Sequence, residues 1–156
     1  MRRKVRRAES SPPLVADTGG LLRALACRPD GQTAWPAYAH ALATSRLVVV
    51  PDLVLAEVDY FLRAERAAMR KLVGDILDPG TTYELSVTTP VDLVRALHID
   101  ARFASLELGL VDATVCSVAE RRGISRILTT DIRDFTAVRV GPRYQDAFTL
   151  VPDGAQ

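Results

Sequence analysis

The amino-acid sequence predicts a three-layer α/β domain, a parallel sheet with helices on both faces. Short apolar runs rich in β-branched residues alternate along the chain with stretches of helical spacing. The turns between them are short, and strand–helix–strand units so joined cross over right-handed and set their strands parallel. The 156 residues, 48% hydrophobic and 25% charged, suit one compact globular domain, expected over residues 14–156 after a leader at 1–13. Such a composition excludes a disordered, collagen-like or coiled-coil chain.

The first strand is expected over 14–17, where Leu14-Val15-Ala16 runs into Asp17. Leu21, Leu22, Leu25 and Ala26 open a helix, and Trp35, Tyr38, Ala39 and Leu42 mark a second. Residues 47–50 read as the next strand. A stripe of Leu53, Ala56, Tyr60 and Phe61 follows, continued beyond Arg66 by Met69, Leu72, Val73, Ile76 and Leu77. Asp78-Pro79-Gly80 is a turn signal before the strand at 83–87. Val91, Val94, Leu97 and Ile99 form another stripe. The last long one, Val111, Val115, Val118 and Ala119, ends at Gly123 as a helix C-terminus should. Strands at 127–129 and 148–151 complete the set.

The formal net charge of +1 conceals a division. Arg2, Arg3, Lys4, Arg6 and Arg7 against Glu9 give the first ten residues +4, which leaves the rest of the chain at −3. A mildly acidic body is not the uniformly basic surface of a passive nucleic-acid binder. The leader reads as a disordered segment, with weak attraction to nucleic acid as the other reading. Its basic start resembles that of a signal peptide, but Ala8-Glu9-Ser10-Ser11-Pro12-Pro13 stands where an apolar stretch belongs. No apolar run approaches the roughly 20 residues that cross a bilayer. Cys27 and Cys116 both lie among apolar neighbours, and two cysteines build no disulfide framework; they read as small core residues of a reduced, cytoplasmic protein.

In open α/β sheets ligands bind beyond the carboxyl ends of the strands. Two strands run into carboxylates there, Leu14-Val15-Ala16 into Asp17 and Ile127-Leu128-Thr129-Thr130 into Asp131. Val50-Pro51 leads into a helix with Glu57 on its second turn, and Leu108-Gly109-Leu110-Val111 delivers Asp112 at the first turn of another. Four acids from four segments are thereby expected at one cleft. Taken singly, Asp17, Asp52, Asp112, Asp131 and Asp134 are each more readily helix caps, since all stand near expected helix starts. Glu57 resists that reading: Asp52 already caps its helix, and Leu53, Val54 and Tyr60 beside it look buried. A salt bridge to Arg63 or Arg66 is the plain alternative.

Carboxylates that converge without a base repel each other, and persist when a cation neutralises them or some are protonated. Oxygen-only donors select a hard ion such as Mg²⁺ or Mn²⁺. His40 and His98 lie far from these motifs. Metal-assisted attack of water on a phosphodiester suits such a site. Rival acidic sites fail on what else they need. A dehalogenase-type phosphatase needs an Asp where Gly19 stands. A phospho-receiver needs a lysine after a late strand, and the lysines are Lys4 and Lys71. A dinucleotide fold needs more glycines than Gly19-Gly20.

Val15-Ala16-Asp17-Thr18, Pro51 with Ala56-Glu57-Val58, Leu108-Gly109-Leu110-Val111-Asp112-Ala113, and Leu128-Thr129-Thr130-Asp131-Ile132-Arg133-Asp134-Phe135 together resemble PIN-domain nucleases, especially VapC toxins of bacterial VapBC toxin–antitoxin modules. The resemblance runs from about Leu14 to Pro152. Each motif alone is common; the four in order are specific. It implies a PIN-like fold with a parallel five-stranded sheet and a Mg²⁺-dependent endoribonuclease that is held inactive by an antitoxin and pairs as a homodimer. Asp17 and Asp112 match the family's principal metal-binding acids, and Glu57 and Asp131 complete its acidic catalytic quartet. Thr18 is matched to orienting a carboxylate or phosphate, and Asp134 to a further supporting carboxylate. Gly19 departs from a position that often holds Ser or Asn, and the leader exceeds the usual family start.

Two other functions fit the same residues. One is a PIN nuclease for RNA maturation; the other is a catalytically idle PIN-like binding module, which the intact quartet disfavours. Arg133 and Arg139 are the arginines nearest the acids in sequence for meeting RNA, and solvated loop charges otherwise. Trp35 and Tyr38 either stack an unpaired base or pack in the core. Part of the Leu53, Tyr60, Phe61, Met69, Leu72 and Ile76 face is expected to be exposed for a partner.

Overall fold

The structure, a computed structural model, describes residues 10–153. Strand β1 (Leu14–Ala16) lies at its centre, with all three residues closed to solvent, as a strand covered on both faces must be. Helices α1 (Thr18–Leu25) and α2 (Pro36–Thr44) follow, then β2 (Val48–Pro51), which is also wholly buried. Next come α3 (Asp52–Phe61), α4 (Arg66–Leu77) and β3 (Tyr83–Ser86). Helix α5 (Pro90–Arg102) and a short 3₁₀ turn at Ala104–Leu106 lead to α6 (Gly109–Arg122), and β4 (Arg126–Leu128) and α7 (Ile132–Ala137) follow. Strands β5 (Arg139–Val140) and β6 (Asp146–Ala147) pair antiparallel as a small ribbon, and β7 (Thr149–Val151) returns to the main sheet.

The main sheet has the order β3-β2-β1-β4-β7 and is parallel throughout. The expected parallel five-stranded sheet of a PIN-like fold is therefore present. Val15 sets the register, opposite Val49 on one side and Ile127 on the other. Helix α6 is buried nearly all round, from Ala113 to Ala119, and ends at Gly123, whose φ of 63° is the left-handed conformation a helix stop requires.

Two arginine–carboxylate clusters weld α5 to its neighbours. Thr89 and Asp92 form a capping box at the start of α5, and Arg121 of α6 grips both oxygens of Asp92 at 2.7 and 3.0 Å. Arg95 grips Glu120 at 2.7 and 2.8 Å, and Glu120 accepts in turn from the Gly141 N–H at 2.6 Å.

This welding corrects the α5 stripe read from the sequence. Asp92, Ala96 and Ile99 form the buried face, whereas Val91, Val94 and Leu97 point outward. The face expected to be partly free on α3 and α4 divides likewise: Met69, Leu72 and Ile76 pack in the core, and Tyr60 and Phe61 are exposed. Cys116 is buried as expected. Cys27 is exposed, because α1 has already ended and the chain has turned out into a loop.

Residues 1–9 of the expected leader lie outside the described residues. From Ser11 the chain is tied to the sheet's far end: the Ser11 N–H donates to the Thr44 carbonyl and its carbonyl accepts from the Arg46 N–H, both at 2.9 Å. The Pro12 carbonyl accepts from Arg126. Among the described residues no helix is long and apolar enough to cross a membrane.

Candidate active site

Successive strands step outward from β1 to β2 and β3, and the chain then returns to place β4 on the other side of β1. That reversal opens a crevice between the carboxyl ends of β1 and β4, the place where open α/β sheets bind ligands. Asp17 stands there, one residue past β1, its N–H donating to the Leu128 carbonyl at 2.9 Å. The first turn of α1 lies so close to β4 that a Cβ on Gly20 would overlap the Leu128 carbonyl, so only glycine fits. A Cβ on Gly19 would overlap the Thr130 hydroxyl, which accounts for the departure seen in the sequence: Thr130 fills from β4's side the space a longer residue 19 would need.

Thr129 joins two of the acids. Its hydroxyl donates to Asp17 Oδ2 at 2.8 Å and accepts from the Asp131 N–H at 2.9 Å. Asp131 is also the N-cap of α7, accepting from the Asp134 N–H at 3.1 Å. Glu57 is carried in by α3, which begins where β2 ends, and Asp112 by the first turn of α6. Neither arginine expected as an alternative partner takes Glu57: Arg66 bonds Asp59 at 2.7 Å, and Arg63 lies over the Tyr60 ring. Tyr60, which looked buried in the sequence, is 60% exposed. Asp52 is not the cap expected of it: Pro51 takes that position without a side-chain bond, and Asp52, the first residue of α3, accepts from the Leu53 N–H at 2.9 Å and, across the fold, from the Thr88 N–H at 3.1 Å.

The electrostatics report the convergence. Burial, with the charges of Glu57 and Asp131 adding to it, pushes the Asp17 carboxyl up to about 6 despite its bonds from Thr129 and Thr18. Burial carries Asp112 to about 7, with Asp17, Asp131, Glu57 and Asp134 each adding repulsion. Asp134 is raised too, by burial and by Asp131, with Arg133 opposing. Among the described residues, the charges that act most strongly on Asp17 and Asp112 are other carboxylates.

The residues fit a hard divalent cation by donor chemistry. Asp17, Glu57, Asp112 and Asp131 supply only oxygen, they repel one another, and none of them has an ion-pair partner among the described residues. The Thr18 hydroxyl and Asp134 Oδ1 are buried without a hydrogen-bond partner, and Arg133, although 3.1 Å from Asp134 Oδ1, is misaligned for one. The side chains do not by themselves bring three acids within ligand distance of one point among the described residues. Mutually repelling carboxylates stand apart, and it is a cation that draws such groups together.

Some expected residues have other tasks. Thr18 leaves its hydroxyl unused, and Thr129, not singled out in the sequence, orients Asp17 instead; a hydroxyl two residues before Asp131, just past a strand, was the available signal. Arg139 donates to the Thr136 and Val138 carbonyls at 2.6 and 2.9 Å, closing the end of α7. Arg133 is exposed on α7, its guanidinium 3.1 Å from Asp134 Oδ1. Tyr38 is core, with its hydroxyl on the Thr129 carbonyl, whereas Trp35 is at the surface.

Comparisons with known proteins agree with this fold. The family model of the PIN domain matches residues 14–141. Ribonuclease VapC26 of Mycobacterium tuberculosis (strain ATCC 25618 / H37Rv) is 29% identical over 147 residues, covering 89% of this chain and all of that protein. The crystal structure of Mycobacterium tuberculosis VapC20, described as a Sarcin-Ricin loop cleaving toxin, superposes with a TM-score of 0.61 at 20% identity, over 77% of this chain and 91% of that one.

Proposed function

The chain belongs to the PIN domain family, and on that premise we propose that it is a metal-dependent endoribonuclease acting as the toxin of a type II toxin–antitoxin pair. The observation that carries this is the set of Asp17, Glu57, Asp112 and Asp131, brought from four elements to the sheet's switch point, with Asp17 raised by burial, Glu57 and Asp131, and Asp112 by burial and the other three acids. The names of its relatives, a ribonuclease and a toxin, point the same way.

Asp17 and Asp112 would hold a Mg²⁺ ion, with Mn²⁺ able to substitute. Such an ion supplies positive charge that polarises a scissile phosphate and makes water acidic enough to attack it. The chain does the rest. Thr129 holds Asp17 in one rotamer and ties it to Asp131. Glu57 and Asp131 complete the negative wall that orients the attacking water, and the products carry a 5′-phosphate and a 3′-hydroxyl. The Thr18 hydroxyl, buried without a partner beside Asp17, is free to donate to water or phosphate, and Asp134 Oδ1, which faces Arg133, to accept from water. The single domain at 14–156 acts in the cytoplasm, on RNA.

A cognate antitoxin is the inhibitor, and the chain pairs with a second copy through the outward face of α5. Val91 is 72% and Leu97 58% exposed there, an unusually apolar strip for a free surface. Incubating the full chain with single-stranded RNA and Mg²⁺ tests the reading. Cleavage that leaves 5′-phosphate ends, stops with a chelator, resumes with Mn²⁺ and is inhibited by the product of an adjacent short gene is expected. Chelator-resistant cleavage, or none on any RNA, is the contrary result.

A further inference from the structure

Between α1 and α2 the chain makes a closed loop that serves no core. The Ala34 N–H donates to the Ala26 carbonyl at 2.8 Å, Cys27 bridges Thr33, and the Arg28 N–H donates to the Gln32 carbonyl at 2.7 Å. These bonds fix where Trp35 emerges, and Pro36 at the first position of α2 fixes it from the other side. The indole is 44% exposed, so the loop is not spent on burying it. Arg23 holds its guanidinium 4.2 Å above the Trp35 ring and 5.3 Å from that of Tyr38. It donates to the Tyr38 hydroxyl at 3.3 Å and has no carboxylate partner among the described residues.

This platform is wired to the acids. The Tyr38 hydroxyl donates to the Thr129 carbonyl at 3.3 Å, and the Thr129 hydroxyl donates to Asp17 at 2.8 Å. Trp35, edge-on to Tyr38 at 6.5 Å, is thereby joined through Tyr38 to Thr129, the residue that orients Asp17. Arg23 in the last turn of α1 also complements the helix dipole. That explains the charge, but not an exposed indole held against it.

We propose that Trp35 and Arg23 form a substrate subsite, in which the indole stacks an unpaired RNA base flanking the scissile bond and the guanidinium neutralises the adjoining phosphate. The inference rests on the nuclease reading above and names the form of RNA the cleft accepts: single-stranded, or a loop with a base free to splay. Every base has a π-face, so the stack is tolerant of sequence and selects for unpaired structure. The cation meets a need of the site, since the neighbouring carboxylates repel the backbone they must approach.

Trp35 is the sole tryptophan, so its emission reports the subsite directly. With Asp112→Asn preventing turnover in Mg²⁺ buffer, a labelled single-stranded RNA oligonucleotide is titrated while its anisotropy and the Trp35 emission are followed together. Saturable quenching is expected, and a blunt duplex of the same sequence should leave emission unchanged. In the chain with its acids intact, Trp35→Ala should raise KM for RNA about tenfold or more with kcat nearly unchanged, as loss of one stacked base does. Trp35→Phe should restore most of the loss, and Arg23→Gln should raise KM and flatten its dependence on salt.

RNA binding seen by anisotropy with Trp35 emission unmoved would overturn the subsite, and so would an unaltered KM in Trp35→Ala. Emission that responds to the inhibitory partner protein but not to RNA overturns it in favour of a protein contact. These results leave the nuclease reading standing, whereas a chain that neither binds nor cleaves any RNA ends both.

Discussion

Asp92 and Asp17 are almost equally closed to solvent, at 2% and 5% exposure, yet they are held on opposite sides of the ordinary carboxylate range. Burial works to raise both. At the α5–α6 seam Arg121 and the Thr89 capping box outweigh it and hold Asp92 low. At the end of β1 only Thr129 and a backbone N–H resist burial, the nearest charges are other acids, and Asp17 is pushed up to about 6. The seam spends its acids on binding helices together. The crevice keeps its acids unpaired, a standing strain that a bound cation would relieve.

The sharpest way to break the comparison is to neutralise one acid in each region. Asp17→Asn or Asp112→Asn should lower RNA cleavage by about 10³-fold or more, the scale of losing a group that stabilises transition-state charge. Thermal stability without metal should hold or rise, because a repelling charge has gone. Cleavage rates and melting curves of the same preparations check both halves.

The pH dependence should divide the regions next. Asp17 and Asp112 have folded-state values of about 6 and about 7 against an ordinary 3.8, so their contribution is fully present below about pH 4 and lost as pH rises through 6 to 7. Asp92, Glu84 and Glu120 are lowered, so theirs is present above the ordinary carboxylate range and lost as pH falls below it. Without metal, stability should decline by something on the order of 3 kcal/mol between pH 5 and 8, and Mg²⁺ should remove most of that decline. Denaturant unfolding across this range with Mg²⁺ or a chelator measures it; a decline indifferent to metal would count against the site.

Asp92→Asn should do the reverse of Asp17→Asn. It leaves Arg121 without its partner and weakens the cap of α5, at a cost of about 2 kcal/mol once the partial exposure of Arg121 is allowed for. The rate per folded molecule should stay as it was, which unfolding curves and activity at 25 °C separate.

The smallest expected effect is at the hydroxyl linking two of the acids. Thr129→Val should slow cleavage about tenfold, as losing an outer support of a metal ligand does, and move the acid limb of the pH–rate profile upward as Asp17 loses its donor. Thr129→Ser, which retains the hydroxyl, should behave nearly as the native chain; equal loss in both would place the role in packing.

Much of this was legible residue by residue. The buried runs at Leu14–Ala16 and Val48–Pro51 announce a sheet covered on both faces, and acids at strand ends and first helical turns announce the edge at which the candidate site lies. Thr129 was less legible, since a threonine beyond a strand is common and only its two partners distinguish it. Periodicity misled on α5, where Val91, Val94 and Leu97 have core spacing and face solvent. It is the Arg121 grip on Asp92, from an element 29 residues away, that turns the polar side of that helix inward.

The sequence by itself determined the alternation of elements, the parallel sheet and the identity of the converging acids, because strand burial, helix stops and the carboxyl-edge rule are properties of short segments and chain order. Only the tertiary structure decided which carboxylates are paired and which are left to repel, that Thr130 fills the space beside Gly19, and that Tyr38 goes into the core while Trp35 stays out. Each of those depends on what a distant element places within a few ångströms, and charge, hydrogen bonding and exclusion act over that distance in space, whatever the separation along the chain.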